Sequence, residues 1–368
     1  KMLKQYKLSN YKFILVFLII ILNIIGLLLV QSARPALFTK QALGMATGVL
    51  LMVVVSLIDY NFILKLHWLI YIAMIGLLLV VIFFGDDAGG AQRWIDLGFM
   101  KFQPSEMAKI AVILFFSYFF MKYEEKISTF KILFCSFALV GLPLLLIVIQ
   151  PDLSTTITTA VVFISMLFIA GISYKIVGTV LSIAIPAVIA FFVMITQDSI
   201  PFLKEYQLIR ILAWLYPERY PDKAYQQQNA IMAIGSGQLW GKGLNNTEAT
   251  SVKNGNFILE PQTDFIFSVA GEELGFMGTA TIILLLLFIV IECIFIARKA
   301  KDTAGKLICC GFAALVGFQS AINISVNSGL LPNTGLPLPF VSYGLTSLWS
   351  LYIGVGLVLN VGLQSRKH

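Results

Sequence analysis

Charged residues are scarce in this chain: Asp, Glu, Lys and Arg make up 12% of its 368 residues, where soluble domains carry about 25%. That shortage, beside 58% hydrophobic residues, excludes a water-soluble fold, because a chain of this length cannot bury so much apolar surface. Histidine is nearly absent, with only His67 and His368, and the four cysteines (Cys135, Cys293, Cys309, Cys310) fall in or beside apolar runs. None has a CxxC or Cys/His spacing, which argues against disulfides and structural zinc. No GxxxxGK[ST] loop occurs, so the chain is not expected to hydrolyse nucleotides.

What is present is a series of apolar runs, each near the roughly 20 residues that cross a bilayer. They lie near 13–30, 41–58, 67–84, 105–121, 132–149, 155–171, 174–195, 274–297, 306–328 and 341–363. The expected fold is an all-α integral membrane domain over 1–368, with ten transmembrane helices. The first run follows Lys1, Lys4, Lys7 and Lys12; it is too long for a typical signal core and reads as a retained helix. The net charge of +7 is no nucleic-acid signal, since most cations sit in short connections and set orientation. Fifteen of them, from Lys1 to Lys367, fall on one side, against Arg34, Lys40, Arg93 and Lys101 in the short connections of the other. Both termini are therefore expected in the cytoplasm.

One connection is long. Residues 196–262 form an outer loop with an apolar run at Leu208–Leu215 and anchors Trp214 and Trp240, which predicts short amphipathic helices on the membrane surface. A second outer loop, Gly85–Gln103, is rich in glycine and carries Arg93 and Trp94.

Ionisable groups at membrane depth are costly and need a reason. Glu106 and Lys109 lie three apart on one helical face, as a structural pair or as the lining of a polar cavity. Asp152 follows Gln150-Pro151 and suits a helix N-cap, with or without a second role. Asp264 lies ten residues before the main apolar run of the eighth helix. It suits either a general base at the water edge or a first-turn acid favoured by the helix dipole. The Pro- and Gly-dense stretch Pro332–Gly344 is irregular backbone that membrane depth tolerates only inside protein or beside a cavity. Outer cations such as Arg34, Arg93 and Lys101 favour a phosphate-bearing solute or anionic headgroups.

These segments together resemble one family. Gly90-Ala-Gln-Arg-Trp-Ile-Asp-Leu-Gly98, Phe102-Gln-Pro-Ser-Glu-Met-Ala-Lys109 and Gln150-Pro-Asp-Leu-Ser-Thr155 look like successive motifs of the SEDS proteins, the RodA and FtsW type. Ala233–Gly237, Gly241–Gly243, Thr263–Phe267, Gly271–Gly275 and Leu336–Gly344 continue the match in order over nearly the whole chain. The chain departs from the family's pattern at Tyr216-Pro217, at Lys223–Asn229 and at Leu345.

The resemblance implies a peptidoglycan glycosyltransferase that polymerises lipid II at the outer face of the bacterial cytoplasmic membrane, for elongation or division. It implies a class B penicillin-binding protein as partner, with other elongation or division machinery and no nucleic acid. Asp264 then matches the aspartate proposed as base. Arg93, Trp94, Gln103, Ser105, Glu106, Lys109, Asp152, Arg210, Thr263 and Ser342 stand as substrate-binding or cavity residues. A divalent cation (Mg2+ or Mn2+) would help hold pyrophosphate, although no dedicated ligand cluster is visible. Two other functions stay open: a lipid II flippase, whose alternating access usually leaves inverted repeats, and a scaffold for the penicillin-binding protein.

Overall fold

The computed structural model describes residues 11–87, 92–98, 100–180, 182, 186, 205–245, 251, 255 and 257–365. Its helices are α1 (Phe13–Ala33), α2 (Phe38–Leu57), the short α3 (Tyr60–Lys65), α4 (His67–Phe84), α5 (Pro104–Lys122), α6 (Phe130–Ile149) and α7 (Leu153–Ile169). There follow α8 (Glu205–Leu215), α9 (Pro221–Ser236), α10 (Ile266–Arg298), α11 (Thr303–Asn327) and α12 (Leu345–Leu363). Among the described residues eight helices are long and apolar enough to cross a membrane, and α7 is a shorter apolar helix. The expected seventh span, 174–195, is helical over 174–180; most of its remainder lies outside the described residues.

Enclosure sorts these helices. α5, α11 and α12 are the most buried of the spans, while α2, α4 and α6 turn most of their surface outward. Phe83, Phe84 and Phe130 are largely exposed, as apolar side chains facing lipid would be and as few soluble proteins allow. The central helices approach their neighbours closely where side chains are small. Gly44 and Gly48 of α2, four residues apart, admit Leu345 and Tyr352 of α12 so tightly that a Cβ at Gly48 would fall inside the tyrosine ring. Membrane helices with little hydrophobic drive between them associate through this kind of small-residue contact.

Three elements differ from their expected form. The Gly85–Gln103 connection is not bare loop: β1 (Asp86–Asp87), β2 (Gln92–Asp96) and β3 (Lys101–Phe102) pair antiparallel in that order. α10 begins at Ile266 rather than 274 because its first turns, with Ser268, Glu272 and Glu273, are polar and escape a hydropathy window. It bends at Gly275, whose φ of 66° belongs to the left-handed region. α12 begins at Leu345 rather than 341, since Pro332–Gly344 runs as irregular chain until Gly344.

The bend in α10 is occupied. Gly237 and Gly241 press on the carbonyls of Gly271 and Glu273, and Gly241 packs against Gly275. Backbone bonds then lock the two segments together: Lys242 N–H to Glu272 O at 2.9 Å, and Phe276 N–H to Gln238 O at 2.8 Å. Lys242 adds an ion pair to Glu272 at 3.0 Å. The family-like glycines of the long loop are thus a docking surface that seats α9 on α10. Substituting Gly48 by Val forces Tyr352 out of place and is expected to destabilise the protein by about 1–3 kcal/mol. Thermal unfolding in detergent measures it, with Gly76, which has open space around it, as the control position.

Candidate functional site

Asp264 sits two residues before α10, in a segment pinned on three consecutive carbonyls. Tyr343 N–H bonds Gln262 O at 2.9 Å. Ser342 Oγ donates to Thr263 O at 2.6 Å and accepts from Leu338 N–H at 2.7 Å. Asn323 and Asn327 of α11 both donate to Asp264 O, at 2.8 and 2.9 Å. With its backbone held from behind, Asp264 lines a cavity of about 250 Å³ together with Arg93, Trp94, Gln103, Glu106, Arg210, Glu260 and Thr263. Thr334, Gly335, Pro337, Tyr343 and Gly344 of the Pro-rich strap, with Thr346 and Ser347 of α12, complete its wall. Burial, reinforced by the negative charge of Glu260, pushes the Asp264 carboxyl up to about 6, against the opposing pull of Arg210 and Arg93.

A carboxyl in that range is charged at neutral pH yet still basic enough to take a proton. Arg93 reaches the cavity from β2 while donating to the carbonyls of Gln150 and Pro151 in the turn before α7. A second cavity of about 590 Å³ adjoins the first and shares Trp94, Glu260, Thr263, Tyr343 and Gly344 with it. It adds Arg34, Lys40 and Lys101, so cations surround both spaces.

Of the residues singled out in the sequence, Arg93, Trp94, Gln103, Glu106, Arg210, Thr263 and Asp264 line the smaller cavity. Ser105, Lys109, Asp152 and Ser342 lie behind its wall. Asp152 caps α7 by accepting from Thr155 N–H at 3.1 Å, and also accepts from Gln103 Nε2 at 3.1 Å. It thereby fixes a lining residue that it does not itself accompany into the cavity. Lys109 is 1% exposed and bonds Glu106 Oε1 at 2.8 Å and Gln319 Oε1 at 2.9 Å. The amides Gln319, Asn323 and Asn327 were missed by sequence reasoning. Their four-residue spacing in an otherwise apolar helix was the available signal.

Among the described residues no three of His, Cys, Asp and Glu converge on one point. The described residues therefore bring together no carboxylate cage of the oxygen-rich kind that Mg2+ or Mn2+ takes. Removing one partner of the Glu106–Lys109 pair leaves a buried charge uncompensated. Lys109→Met is expected to cost about 3–5 kcal/mol, and the double variant E106Q/K109M to regain most of it; melting curves of the four proteins test this.

Comparison with known proteins agrees with this architecture. The FtsW/RodA/SpoVE cell cycle protein family matches residues 6–367. The probable peptidoglycan glycosyltransferase FtsW of Geobacter sp. (strain M18) is 32% identical over 375 residues, covering 98% of this chain and 99% of its own. The peptidoglycan glycosyltransferase MrdB of Escherichia coli (strain K12) is 37% identical over 296 residues, 79% of this chain and 76% of that protein. Among solved structures, a chain from a peptidoglycan synthase complex that coordinates polymerization and crosslinking superposes with a TM-score of 0.78 at 27% identity, covering 96% of this chain and 97% of that one. The rod shape determining protein RodA of Thermus thermophilus superposes with a TM-score of 0.70 at 25% identity, covering 97% and 98%. The chain belongs to the FtsW/RodA/SpoVE family, the SEDS proteins, and is a multi-pass membrane peptidoglycan glycosyltransferase.

Proposed function

We propose that this chain polymerises lipid II into β-1,4-linked glycan at the outer face of the bacterial cytoplasmic membrane, with Asp264 as general base. The observation that carries this reading is one cavity that brings the Asp264 carboxyl together with Arg93 and Arg210. The growing strand is linked through its anomeric carbon to a lipid pyrophosphate. The 4-hydroxyl oxygen of an incoming disaccharide attacks that carbon, and the bond to the pyrophosphate oxygen breaks. The hydroxyl proton passes to Asp264, and the lipid pyrophosphate leaves with the electron pair. A single displacement turns an α-linked donor into a β-linked product. Arg93 and Arg210 offset charge as it grows on the leaving group, where fixed cations in a low-dielectric site act most strongly.

Two lipid-linked substrates must meet, and the larger cavity beside Trp94 offers the second its own cations, Arg34, Lys40 and Lys101. Transport fits less well. A groove between α7, α10 and α11, in the half of the bundle remote from Asp264, is lined by Ile164, Phe168, Ile169, Val290 and Ile294. Ser165 is its one hydroxyl, and no charged side chain lines it to meet a pyrophosphate headgroup. A class B penicillin-binding protein is the partner this reading calls for. The solved complex that couples polymerization to crosslinking supports that choice.

The experiment is polymerisation of lipid II by the purified chain with its cognate penicillin-binding protein, read as a glycan ladder. A β-1,4 ladder is expected; its absence, with flipping of lipid II in vesicles, would replace the enzyme reading with transport. The base must be ionised to act. The value of kcat/KM is therefore expected to be flat above about pH 7 and to fall about tenfold per pH unit well below 6. A rate that rises as pH falls from 7 to 5 would contradict the assignment.

A further inference from the structure

α11 carries three amide side chains at four-residue spacing, Gln319, Asn323 and Asn327, which places them on one face of the helix. Each is at most 2% exposed. Such groups are expensive in an apolar helix unless every polar atom is used, and here they are used on the site. Asn323 Nδ2 donates to Asp264 O at 2.8 Å and to Leu336 O at 2.6 Å. Asn327 Nδ2 donates to the same Asp264 carbonyl at 2.9 Å, while its Oδ1 accepts from Ser268 N–H at 3.1 Å, in the first turn of α10. Gln319 Nε2 donates to Pro337 O at 2.9 Å, and its Oε1 accepts from Lys109, which holds Glu106.

Three separate walls of the cavity therefore refer to one helix: the Asp264 segment, the Pro-rich strap and the Glu106 end of α5. Two donors on one carbonyl are more than satisfaction requires. A carbonyl with both lone pairs engaged by side chains from a buried helix leaves the peptide plane little freedom to rotate. The Asp264 side chain leaves that same residue toward the cavity.

We infer that Gln319, Asn323 and Asn327 form an amide ladder that positions the Asp264 carboxyl against the reacting hydroxyl and keeps it in register with Glu106. These are positioning residues, acting through the backbone of Asp264 and through Lys109. The inference rests on the polymerase reading for its reaction, but the ladder's hold on Asp264 has consequences that need no turnover. Loss of an amide at 323 or 327 frees the Asp264 peptide and alters the surroundings of its carboxyl. Substrate still binds, because the lining cations are untouched.

The test uses the full chain with its penicillin-binding protein and compares wild type with Asn323→Leu, Asn327→Leu and Asn327→Gln. Ser328→Ala is the control: Ser328 is exposed at the carboxyl-terminal cap of α11, and its hydroxyl bonds to the carbonyls of Ile324 and Ser325 in the preceding turn. Polymerisation kinetics are measured alongside titration of the Asp264 carboxyl by infrared difference spectroscopy against Asp264→Asn. In folded Leu variants kcat is expected to fall about 100-fold, the scale set by misplacing a catalytic group by about 1 Å, with KM within about twofold. The carboxyl titration moves from its wild-type midpoint, Asn327→Gln recovers part of the rate, and Ser328→Ala matches wild type.

Folded Leu variants with wild-type kcat and an unmoved titration would overturn the ladder. So would a loss confined to KM. If the Leu variants fold poorly, Asn323→Ser and Asn327→Ser, too short to reach the carbonyl, decide the question by the same two readouts. A wild type that titrates normally but makes no polymer would count against the polymerase reading, while the titration shift still decides the ladder.

Discussion

Backbone that leaves the helix inside a membrane protein must find hydrogen-bond partners within the protein, because lipid offers none. Two irregular segments of this chain meet at the site, residues 262–264 and the strap from Pro332 to Gly344, and their carbonyls would be orphans in hydrocarbon. The structure answers with side chains. Ser342 bridges Leu338 N–H to Thr263 O. Asn323 joins Asp264 O to Leu336 O, and Gln319 takes Pro337 O. The same bonds that make the irregular backbone tolerable also fix where Asp264 points, so satisfaction and function come from one set of contacts.

The charges follow a related logic. Lys109 and Glu106 are buried beside each other near the start of α5, and a pair of this kind is weak evidence of stability since desolvation offsets much of its attraction. Its placement is more telling than its energy: one member faces the cavity and the other is bonded to α11. Arg93 is similar, tied to the turn at Gln150–Pro151 yet exposed to the cavity. Asp152 is spent on capping α7 and holding Gln103. Asp264 lines the cavity with its backbone held from behind, and burial raises its carboxyl.

Much of this was legible in the sequence. Apolar runs marked most of the spans, and the motifs named residues that do converge: Arg93, Trp94, Gln103, Glu106, Arg210, Thr263 and Asp264 surround one cavity. What escaped has physical reasons. The start of α10 is polar because it packs on the loop glycines and pairs Glu272 with Lys242, so hydropathy placed it eight residues late. The β2 strand with Arg93 was hidden by flanking glycines and its shortness. The Asp152 cap and the Glu106–Lys109 pair were legible locally, but the bonds of Asp152 to Gln103 and of Lys109 to Gln319, about 50 and 210 residues away in sequence, follow from no local pattern. Gln319, Asn323 and Asn327 were visible only as tolerated polar residues in an apolar run.

In the proposed mechanism Asp264 performs the proton transfer and does not merely shape the cavity. Its lifted pKa means that ionisation at neutral pH costs the folded state stability. Asp264→Asn is therefore expected to fold at least as well as wild type, and any loss of product reports on chemistry. The decisive measurement is the glycan ladder made from lipid II by Asp264→Asn and wild type, each with the cognate penicillin-binding protein at equal folded yield. The account predicts a ladder from wild type and none from the variant; a ladder of comparable rate from Asp264→Asn would show that another group takes the proton.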